Sequence, residues 1–130
     1  MAAKRLLFID NDKDTRIIVK FALERETDWE VLTATDGIDG ITIAETERPD
    51  VIVLDLIMPG LDGLAVLDVL KSNLFTCSIP VIFLTAMVQN RVISQLDNTL
   101  AVGIITKPFD VINLDSQIAE ISQWNLIGKL

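Results

Sequence analysis

A run of four apolar residues, Val51–Leu54, ends in an acid, Asp55, and the turn-forming residues Pro59 and Gly60 follow soon after it. The run is rich in β-branched residues. A continuous apolar run of this length between turn residues predicts a strand that is buried on both faces. Such strands occur in parallel sheets that helices cover on both sides, and ligands bind outside the carboxyl ends of these strands. Asp55 is therefore the first candidate for chemistry.

The rest of the chain alternates strand patterns with helix patterns. Predicted strands cover residues 6–9, 29–35, 51–54, 81–84 and 101–106, and predicted helices cover residues 15–26, 36–48, 64–73, 88–99 and 111–124. Repeated βαβ units require parallel pairing with right-handed crossovers. Polar Glu30 and Thr33 make the second strand the least apolar, which places it at an edge. The predicted fold class is therefore α/β, a doubly wound, flavodoxin-like sheet of five parallel strands in the order 2-1-3-4-5.

Length and charge limit the number of domains and the classes of partner. With 130 residues and no linker or low-complexity segment, the chain is predicted to form one domain over residues 1–130, without an output domain. Its formal net charge of −8 argues against nonspecific binding to nucleic acid or to anionic membranes. The sequence has no apolar run near the roughly twenty residues that a membrane-spanning helix needs.

Cysteine and histidine usage narrows the chemistry. Cys77 is the single cysteine, so an internal disulfide cannot form and a reducing, cytoplasmic location is expected. The sequence contains no histidine, which removes histidine-based catalysis and the usual zinc sites. Oxygen ligands and amines remain as the chemically active groups.

Four polar residues follow the predicted strands at one edge of the sheet. They are Asp10 after the first strand, Asp55 after the third, Thr85 after the fourth and Lys107 after the fifth. Two neighbouring acids repel each other unless a cation or a proton intervenes. An oxygen-rich site without His or Cys suits Mg²⁺. An Asp carboxylate can also act as a nucleophile and become an aspartyl phosphate, with a lysine and a hydroxyl to stabilise the phosphoryl oxygens.

The same residues form motifs that occur in one known family. In chain order the motifs are Asp10-Asn11, the stretch from Asp55 to Gly63, Leu84-Thr85-Ala86 and Lys107-Pro108-Phe109. Together they resemble the receiver domain of response regulators, a resemblance that covers nearly the whole chain. It implies a stand-alone receiver of a two-component system, a phosphorelay protein that is phosphorylated with Mg²⁺. It also implies that the chain is not an enzyme, apart from self-catalysed phosphorylation and at most slow autodephosphorylation.

The resemblance implies a role for each matching residue. The implied roles are phosphoacceptor and metal ligand for Asp55, metal ligand for Asp10, metal ligand through the backbone carbonyl for Ile57, switch hydroxyl for Thr85, phosphoryl contact for Ala86 and ion-pairing cation for Lys107. The phosphoryl group would come from a histidine kinase or a histidine phosphotransfer protein. The bond that precedes Pro108 is expected to be cis.

One departure from the family pattern concerns the metal site. Receivers usually carry two adjacent acids after the first strand, whereas this chain has Asp10-Asn11. The amide oxygen of Asn11 can bind Mg²⁺ but adds no charge, so a weakened yet usable metal site is expected. Asp12 and Asp14 are interpreted as turn and capping residues rather than ligands.

Two further departures concern signalling and phosphoryl lifetime. Ile104 stands where many receivers carry a switching Tyr or Phe, so coupling from Thr85 to an aromatic side chain cannot operate. Ile57 and Met87 are both apolar and flank the expected phosphoryl site. Because such residues can shield the site from water, a comparatively long-lived phosphoryl group is expected.

The first predicted helix offers a docking surface. If its core stripe faces the sheet, Ile17 and Phe21 lie on the opposite, exposed side. That stripe would consist of Ile18, Val19, Ala22 and Leu23. An exposed apolar pair suits a partner helix, and in receivers this helix commonly meets the kinase. The alternative is a rotated stripe that buries Phe21 in the core.

Three functional hypotheses follow. In the first, phosphorylation of Asp55 shifts a loop or helix and thereby controls binding to another protein or to a second copy. The apolar tail at Trp124, Leu126 and Ile127 is interpreted either as packing within the domain or as part of a dimer surface. In the second, the chain is a receiver-like adaptor that never takes phosphate. The third, a haloacid-dehalogenase-like phosphatase built on Asp10, does not explain the motif that begins at Asp55.

Overall fold

The computed structural model describes residues 3–58, 60, 62–85 and 101–124. The described strands are β1 (Arg5–Ile9), β2 (Glu30–Ala34), β3 (Val51–Asp55), β4 (Val81–Thr85) and β5 (Gly103–Thr106). The described helices are α1 (Lys13–Glu26), α2 (Gly37–Glu47), α3 (Gly63–Lys71) and α4 (Leu114–Ser122). The predicted helix over 88–99 lies outside the described residues. Within the described ranges, every helix is too short or too polar to cross a bilayer.

All strand pairs are parallel, and the sheet has the order β2-β1-β3-β4-β5. This confirms the order predicted from the sequence. The side chains of β3 and β4 are fully or almost fully buried, whereas Glu30 on the edge strand β2 is exposed. Ile9 of β1 is paired with Leu54 of β3. The next residues, Asp10 and Asp55, therefore leave the sheet side by side.

Two apolar layers cover the faces of the sheet. Along β1, Leu7 and Ile9 point into one layer and Leu6 and Phe8 into the other, as the two-residue period of a strand requires. The first layer is closed by α2 and α3 through Ala44, Val66, Leu67 and Leu70. The second layer is closed by α1 and α4 through Val19, Leu23, Leu114, Ile118 and Ala119. The sheet is thus rigidly held from both sides up to its carboxyl edge.

Aspartate side chains cap the helices that begin at this edge. Asp12 accepts a hydrogen bond from the Thr15 amide (3.1 Å) at the start of α1, and Asp62 accepts one from the Ala65 amide (2.9 Å) at the start of α3. These caps explain why α1 and α3 begin at Lys13 and Gly63, slightly before their predicted starts.

Other element ends also differ from the prediction. Helix α4 begins at Leu114 instead of residue 111, because residues 111–113 form a turn in which the Asp110 carboxylate accepts from the Ile112 amide (3.0 Å). Helix α3 ends at Lys71, and α2 ends where Arg48 adopts a left-handed conformation (φ 46°). Apolar periodicity extends through these turns, so it could not locate the ends.

The end of the described chain packs on the amino edge of the sheet. Helix α4 stops where Gln123 takes a left-handed conformation (φ 59°), and Trp124 then meets Trp29 edge to face with 5.0 Å between ring centroids. The Lys4 ammonium lies 5.4 Å from the Trp124 ring centroid. Trp124 is therefore part of the domain's own packing, whereas Leu126 and Ile127 lie outside the described residues.

Candidate functional site

One lysine joins the two buried carboxylates at the carboxyl edge of the sheet. The Lys107 Nζ atom lies 3.2 Å from Asp10 Oδ2 and 3.2 Å from Asp55 Oδ2. Asp10 is fully buried and Asp55 is 5% exposed, while Lys107 remains partly open to solvent. The three residues are distant in the sequence, and the sheet order brings them together as the strand-end pattern predicts.

Backbone hydrogen bonds hold these residues beyond the ends of their strands. The Asp10 amide donates to the Ala34 carbonyl (3.2 Å), and the Lys107 amide donates to the Thr85 carbonyl (2.8 Å). On the far side of Asp55, the Leu56 amide donates to the Leu84 carbonyl (3.0 Å). The hydrogen bonds of the sheet therefore continue into the site, and they fix the backbone from which its side chains extend.

Each carboxylate uses its two oxygen atoms in the same way. The Oδ1 atom of Asp10 accepts from the Asp12 amide (2.9 Å), and Oδ1 of Asp55 accepts from the Ile57 amide (3.1 Å). Both Oδ2 atoms face Lys107. The backbone thus orients both acids so that one oxygen of each points to a shared cation position.

The electrostatics of the site leave one negative charge in excess. Burial raises the pKa of Asp55 above its ordinary value, and the nearby Asp10 adds to this shift, although the Ile57 amide and Lys107 oppose it. Burial alone would lower the pKa of Lys107, but the Asp55 and Asp10 carboxylates outweigh burial and raise it. Lys107 is consequently a permanent cation at neutral pH, and it neutralises only one of the two acids.

Asn11 and Asp12, in the turn between β1 and α1, differ in their contacts. Asn11 is exposed and lies beside Asp10 in the sequence. The Asp12 carboxylate accepts from both the amide and the hydroxyl of Thr15, and these hydrogen bonds lower its pKa. Asp12 is therefore a helix cap, as predicted, and its carboxylate is already engaged when a ligand arrives.

The donor atoms fit Mg²⁺. Asp10 and Asp55 are buried carboxylates that lie close enough to share the Lys107 ammonium, and Mg²⁺ typically binds one or two carboxylates while it keeps several waters. Among the described residues, acids, His and Cys do not form a cluster of three or more that could hold a metal. A metal here would thus have two charged protein ligands, and further oxygens would have to come from neutral groups.

The structure describes some, but not all, of the other residues with predicted roles. Thr85 is the last residue of β4 and is 1% exposed. The Ile57 side chain is 52% exposed, and Ile104 packs partly buried against the layer under α2 and α3. The Lys107–Pro108 peptide bond is cis, as expected. Ala86 and Met87 lie outside the described residues.

Two residues near the site were missed by sequence reasoning. The Arg16 Nη1 atom donates to the Asp10 carbonyl (2.8 Å) and ties α1 to this strand end. Gly63 donates its amide to the Leu56 carbonyl (2.9 Å) directly behind Asp55. The signal for this close contact is a glycine at the start of a helix, where the missing Cβ lets the backbone come near.

An apolar groove runs between α1 and the turn before α4. It has a volume of about 630 Å³ and is lined by Ile17, Ile18, Phe21, Ala22, Arg25, Glu26, Val111, Ile112 and Asn113. Ile17 and Phe21 are 55% and 64% exposed, which agrees with the predicted exposed pair. The assumed core stripe was partly wrong, because Val19 and Leu23 are buried while Ile18 is half exposed. Here α1 crosses the sheet with only two of its apolar positions facing the core.

Comparisons with known proteins agree on one kind of domain. A family model described as the response regulator receiver domain matches residues 6–119. The DNA-binding dual master transcriptional regulator RpaA of Synechocystis sp. is 39% identical over 107 residues, which are 82% of this chain and 44% of that protein. The alkaline phosphatase synthesis transcriptional regulatory protein PhoP of Bacillus subtilis is 31% identical over 123 residues, which are 91% of this chain and 48% of that protein. The chain thus spans about half the length of these relatives.

Solved structures give the same result for the fold. The Vibrio cholerae chemotaxis protein CheY4 matches with a TM-score of 0.86 and 25% identity, over 92% of this chain and 99% of that one. The receiver domain of the Francisella response regulator 1452 matches with a TM-score of 0.80 and 28% identity, over 92% of this chain and 97% of that one.

Proposed function

Because the chain belongs to the response regulator receiver family of two-component signalling, we propose that Asp55 accepts a phosphoryl group from a histidine kinase or a histidine phosphotransfer protein. The observation that carries this proposal is the position of the Lys107 ammonium, 3.2 Å from the inward-facing oxygen of each buried acid. Such a cation can neutralise the oxygens of a phosphoryl group that arrives at the edge of the sheet.

The proposal assigns one step or contact to each side chain of the site. An Asp55 oxygen attacks phosphorus, the bond from phosphorus to the donor's histidine nitrogen breaks, and that imidazole leaves. The Ile57 amide holds the other Asp55 oxygen, Lys107 pairs with the phosphoryl oxygens, and Thr85 donates a hydrogen bond to them. The phosphoryl contact at Ala86, predicted from the family motif, belongs to the same proposal.

Mg²⁺ would be held by Asp10, Asp55 and the backbone carbonyl of Ile57, with the Asn11 amide oxygen as a neutral fourth ligand. When bound, it would supply the positive charge that the two acids lack, because Lys107 balances only one of them. The protein would catalyse no turnover of other substrates. Its own chemistry would be self-catalysed phosphorylation and, at most, slow loss of the phosphoryl group.

The partner that supplies phosphate is proposed to dock on the groove beside α1. Ile17 and Phe21 stand exposed there, and Arg25 lies 6.0 Å from the Phe21 ring centroid. An apolar helix face with a charged rim suits an amphipathic helix of the partner. The phosphorylated form would then bind a downstream protein or a second copy of the chain.

A matched pair of variants tests the docking surface. Phe21→Ala should slow transfer from a phosphohistidine protein, while labelling by a small phosphodonor stays at the wild-type rate. Ile38→Ala is the control, since Ile38 is 70% exposed on α2, away from the groove. Equal effects of both variants on transfer from the protein donor would rule out the groove as the docking site.

A second candidate, an adaptor that never takes phosphate, is favoured by one observation. The metal site has an uncharged Asn11, and Asp12 cannot take its place while it caps α1. Labelling with a small phosphodonor at millimolar Mg²⁺, read as intact mass, separates the two candidates. The proposed function expects one added phosphoryl group in the wild type and none in Asp55→Asn. An unlabelled wild type would favour the adaptor, and label that disappears only in Asp10→Asn would point to a phosphatase-type nucleophile.

A further inference from the structure

Gly63 makes an unusually close contact with the backbone of the phosphoacceptor. A Cβ atom at this position would lie 2.7 Å from Leu56 Cα, 2.9 Å from the Asp55 carbonyl oxygen and 3.0 Å from the Leu56 carbonyl oxygen. All three atoms belong to the backbone, which cannot rotate away as the end of a side chain can. Gly63 is an ordinary helical residue, so available space, not a positive φ, requires the glycine.

The contact is closed by hydrogen bonds on both sides. The Gly63 amide donates to the Leu56 carbonyl (2.9 Å), and the Asp62 side chain caps the same turn of α3 through the Ala65 amide (2.9 Å). Leu56 in turn donates its amide to the Leu84 carbonyl (3.0 Å). The first turn of α3 is therefore pressed against the peptide that links Asp55 to Leu56, with β4 on the other side.

We propose that Gly63 is a positioning residue for the phosphoacceptor, an inference that rests on the proposed function of Asp55. The close approach of α3 fixes the peptide after Asp55. This peptide sets the place of the Ile57 amide, which holds Asp55 Oδ1 at 3.1 Å. A methyl group at position 63 would push this peptide away and turn the Asp55 carboxylate away from the Lys107 ammonium that it shares with Asp10.

Gly103 provides a matched control. A Cβ atom at Gly103 would also approach a neighbour to 2.7 Å, but that neighbour is the Cγ2 atom of the Ile121 side chain. Gly103 is the first residue of β5, at the amino edge of the sheet and away from Asp55. Gly63→Ala and Gly103→Ala thus add the same methyl group at the same closest distance, against backbone in one case and against a side chain in the other.

The test compares these two variants with the wild type at a temperature where thermal melts show all three to be folded. The initial rate of labelling by a small phosphodonor should fall by about tenfold to a hundredfold in Gly63→Ala. Mg²⁺ affinity should fall with it, and the Ile57 amide resonance should move in NMR spectra of the unphosphorylated protein. Gly103→Ala should keep the wild-type rate, affinity and Ile57 resonance.

A second pair of variants covers the case in which Gly63→Ala does not fold. Asp62→Ala removes the cap that holds the same turn of α3 in place, and Asp36→Ala removes the equivalent cap of α2. We expect slower labelling and weaker Mg²⁺ binding in Asp62→Ala, and wild-type values of both in Asp36→Ala.

The outcomes separate the inference from the function on which it rests. Wild-type labelling rate and Mg²⁺ affinity in Gly63→Ala, or an equal loss in Gly103→Ala, would overturn the role of Gly63 while Asp55 remained the acceptor. If the wild type takes no label, the proposed function fails. In that case, the Mg²⁺ affinity and the Ile57 amide resonance of Gly63→Ala still test whether Gly63 positions the Asp55 carboxylate.

Discussion

The ammonium of Lys107 lies 3.2 Å from the Oδ2 atom of Asp55, a residue 52 positions earlier in the chain. Lys107 keeps the same distance from Asp10, so a single cation serves two acids that are both almost completely buried. One negative charge remains unbalanced. Replacement of Lys107 removes the ion-pair partner of both carboxylates.

Lys107→Met should destabilise the Mg²⁺-free protein. Removal of one partner from a buried ion pair leaves an uncompensated charge and costs about 3–5 kcal/mol. Because Lys107 is partly exposed, we expect about 2 kcal/mol here, measured by urea unfolding. Millimolar Mg²⁺ should recover part of this loss.

The control for that substitution is Lys13→Met, at an exposed position at the start of α1. It should change the free energy of unfolding by less than about 0.5 kcal/mol. Equal stabilities of Lys107→Met and Lys13→Met would contradict the ion-pair arrangement.

Asp55→Asn should stabilise the Mg²⁺-free protein at neutral pH. Burial raises the pKa of Asp55 above the ordinary value of 3.8, so between the two values the folded state binds this proton more tightly than the unfolded state. Stability then falls as the pH rises through that window, and above the window the cost of the buried charge is present. The variant lacks this cost, so we expect a gain on the order of 1 kcal/mol, or roughly 3 to 5 °C in Tm.

The pH dependence provides the check on that gain. The difference between Asp55→Asn and the wild type should disappear below about pH 3.8, where Asp55 is protonated in both states. Asp68→Asn, on the exposed side of α3, should have nearly the stability of the wild type. A wild type that is more stable than Asp55→Asn at neutral pH, without metal, would show that the sign is wrong.

Asn11→Asp should tighten Mg²⁺ binding. The substitution adds a negative charge next to Asp10, and a charge a few ångströms from the metal is worth several kcal/mol before desolvation is subtracted, so we expect roughly a tenfold lower Kd by calorimetry. Asp12→Asn removes a neighbouring charge that is exposed and bonded to Thr15. It should change the Kd by less than about threefold, since exposed charges are screened. A larger loss of affinity in Asp12→Asn would identify Asp12 as the ligand instead.

Ile57→Asn should shorten the lifetime of the phosphoryl group. Ile57 follows Asp55 by two residues and is half exposed, so its side chain can shield the acyl phosphate from water. A polar group there can instead hold an attacking water, and we expect roughly tenfold faster loss in a decay series followed by mass spectrometry. Met87→Glu should act in the same direction, whereas Ile38→Asn on α2 should not. Wild-type decay that is fast and unchanged by Ile57→Asn would disprove the shielding.

The strand patterns in the sequence predicted most of the fold and some of the residues of the site. Apolar runs that end in Asp10, Asp55 and Thr85 fixed the element order, and a polar edge strand fixed the sheet order. The meeting of Asp10, Asp55 and Lys107 follows from that topology alone. Helix ends were less certain, because capping by Asp12 and the turn before α4 depend on local hydrogen bonds.

The sequence could not predict contacts that depend on how closely two elements approach each other. The half-exposed position of Ile18 depends on how α1 crosses the sheet. The role proposed for Gly63 depends on how closely the first turn of α3 approaches the end of β3, where an added Cβ atom would lie 2.7 Å from Leu56 Cα, and no periodicity encodes that distance.

The most direct test of the central claim is to locate the phosphoryl group after labelling with a small phosphodonor and Mg²⁺. Borohydride reduction converts an aspartyl phosphate into a stable alcohol, which peptide sequencing by mass spectrometry can place at a single residue. We expect the modified residue to be Asp55, with no modification in Asp55→Asn. Modification at Asp10, or equal modification of the wild type and Asp55→Asn, would contradict the account.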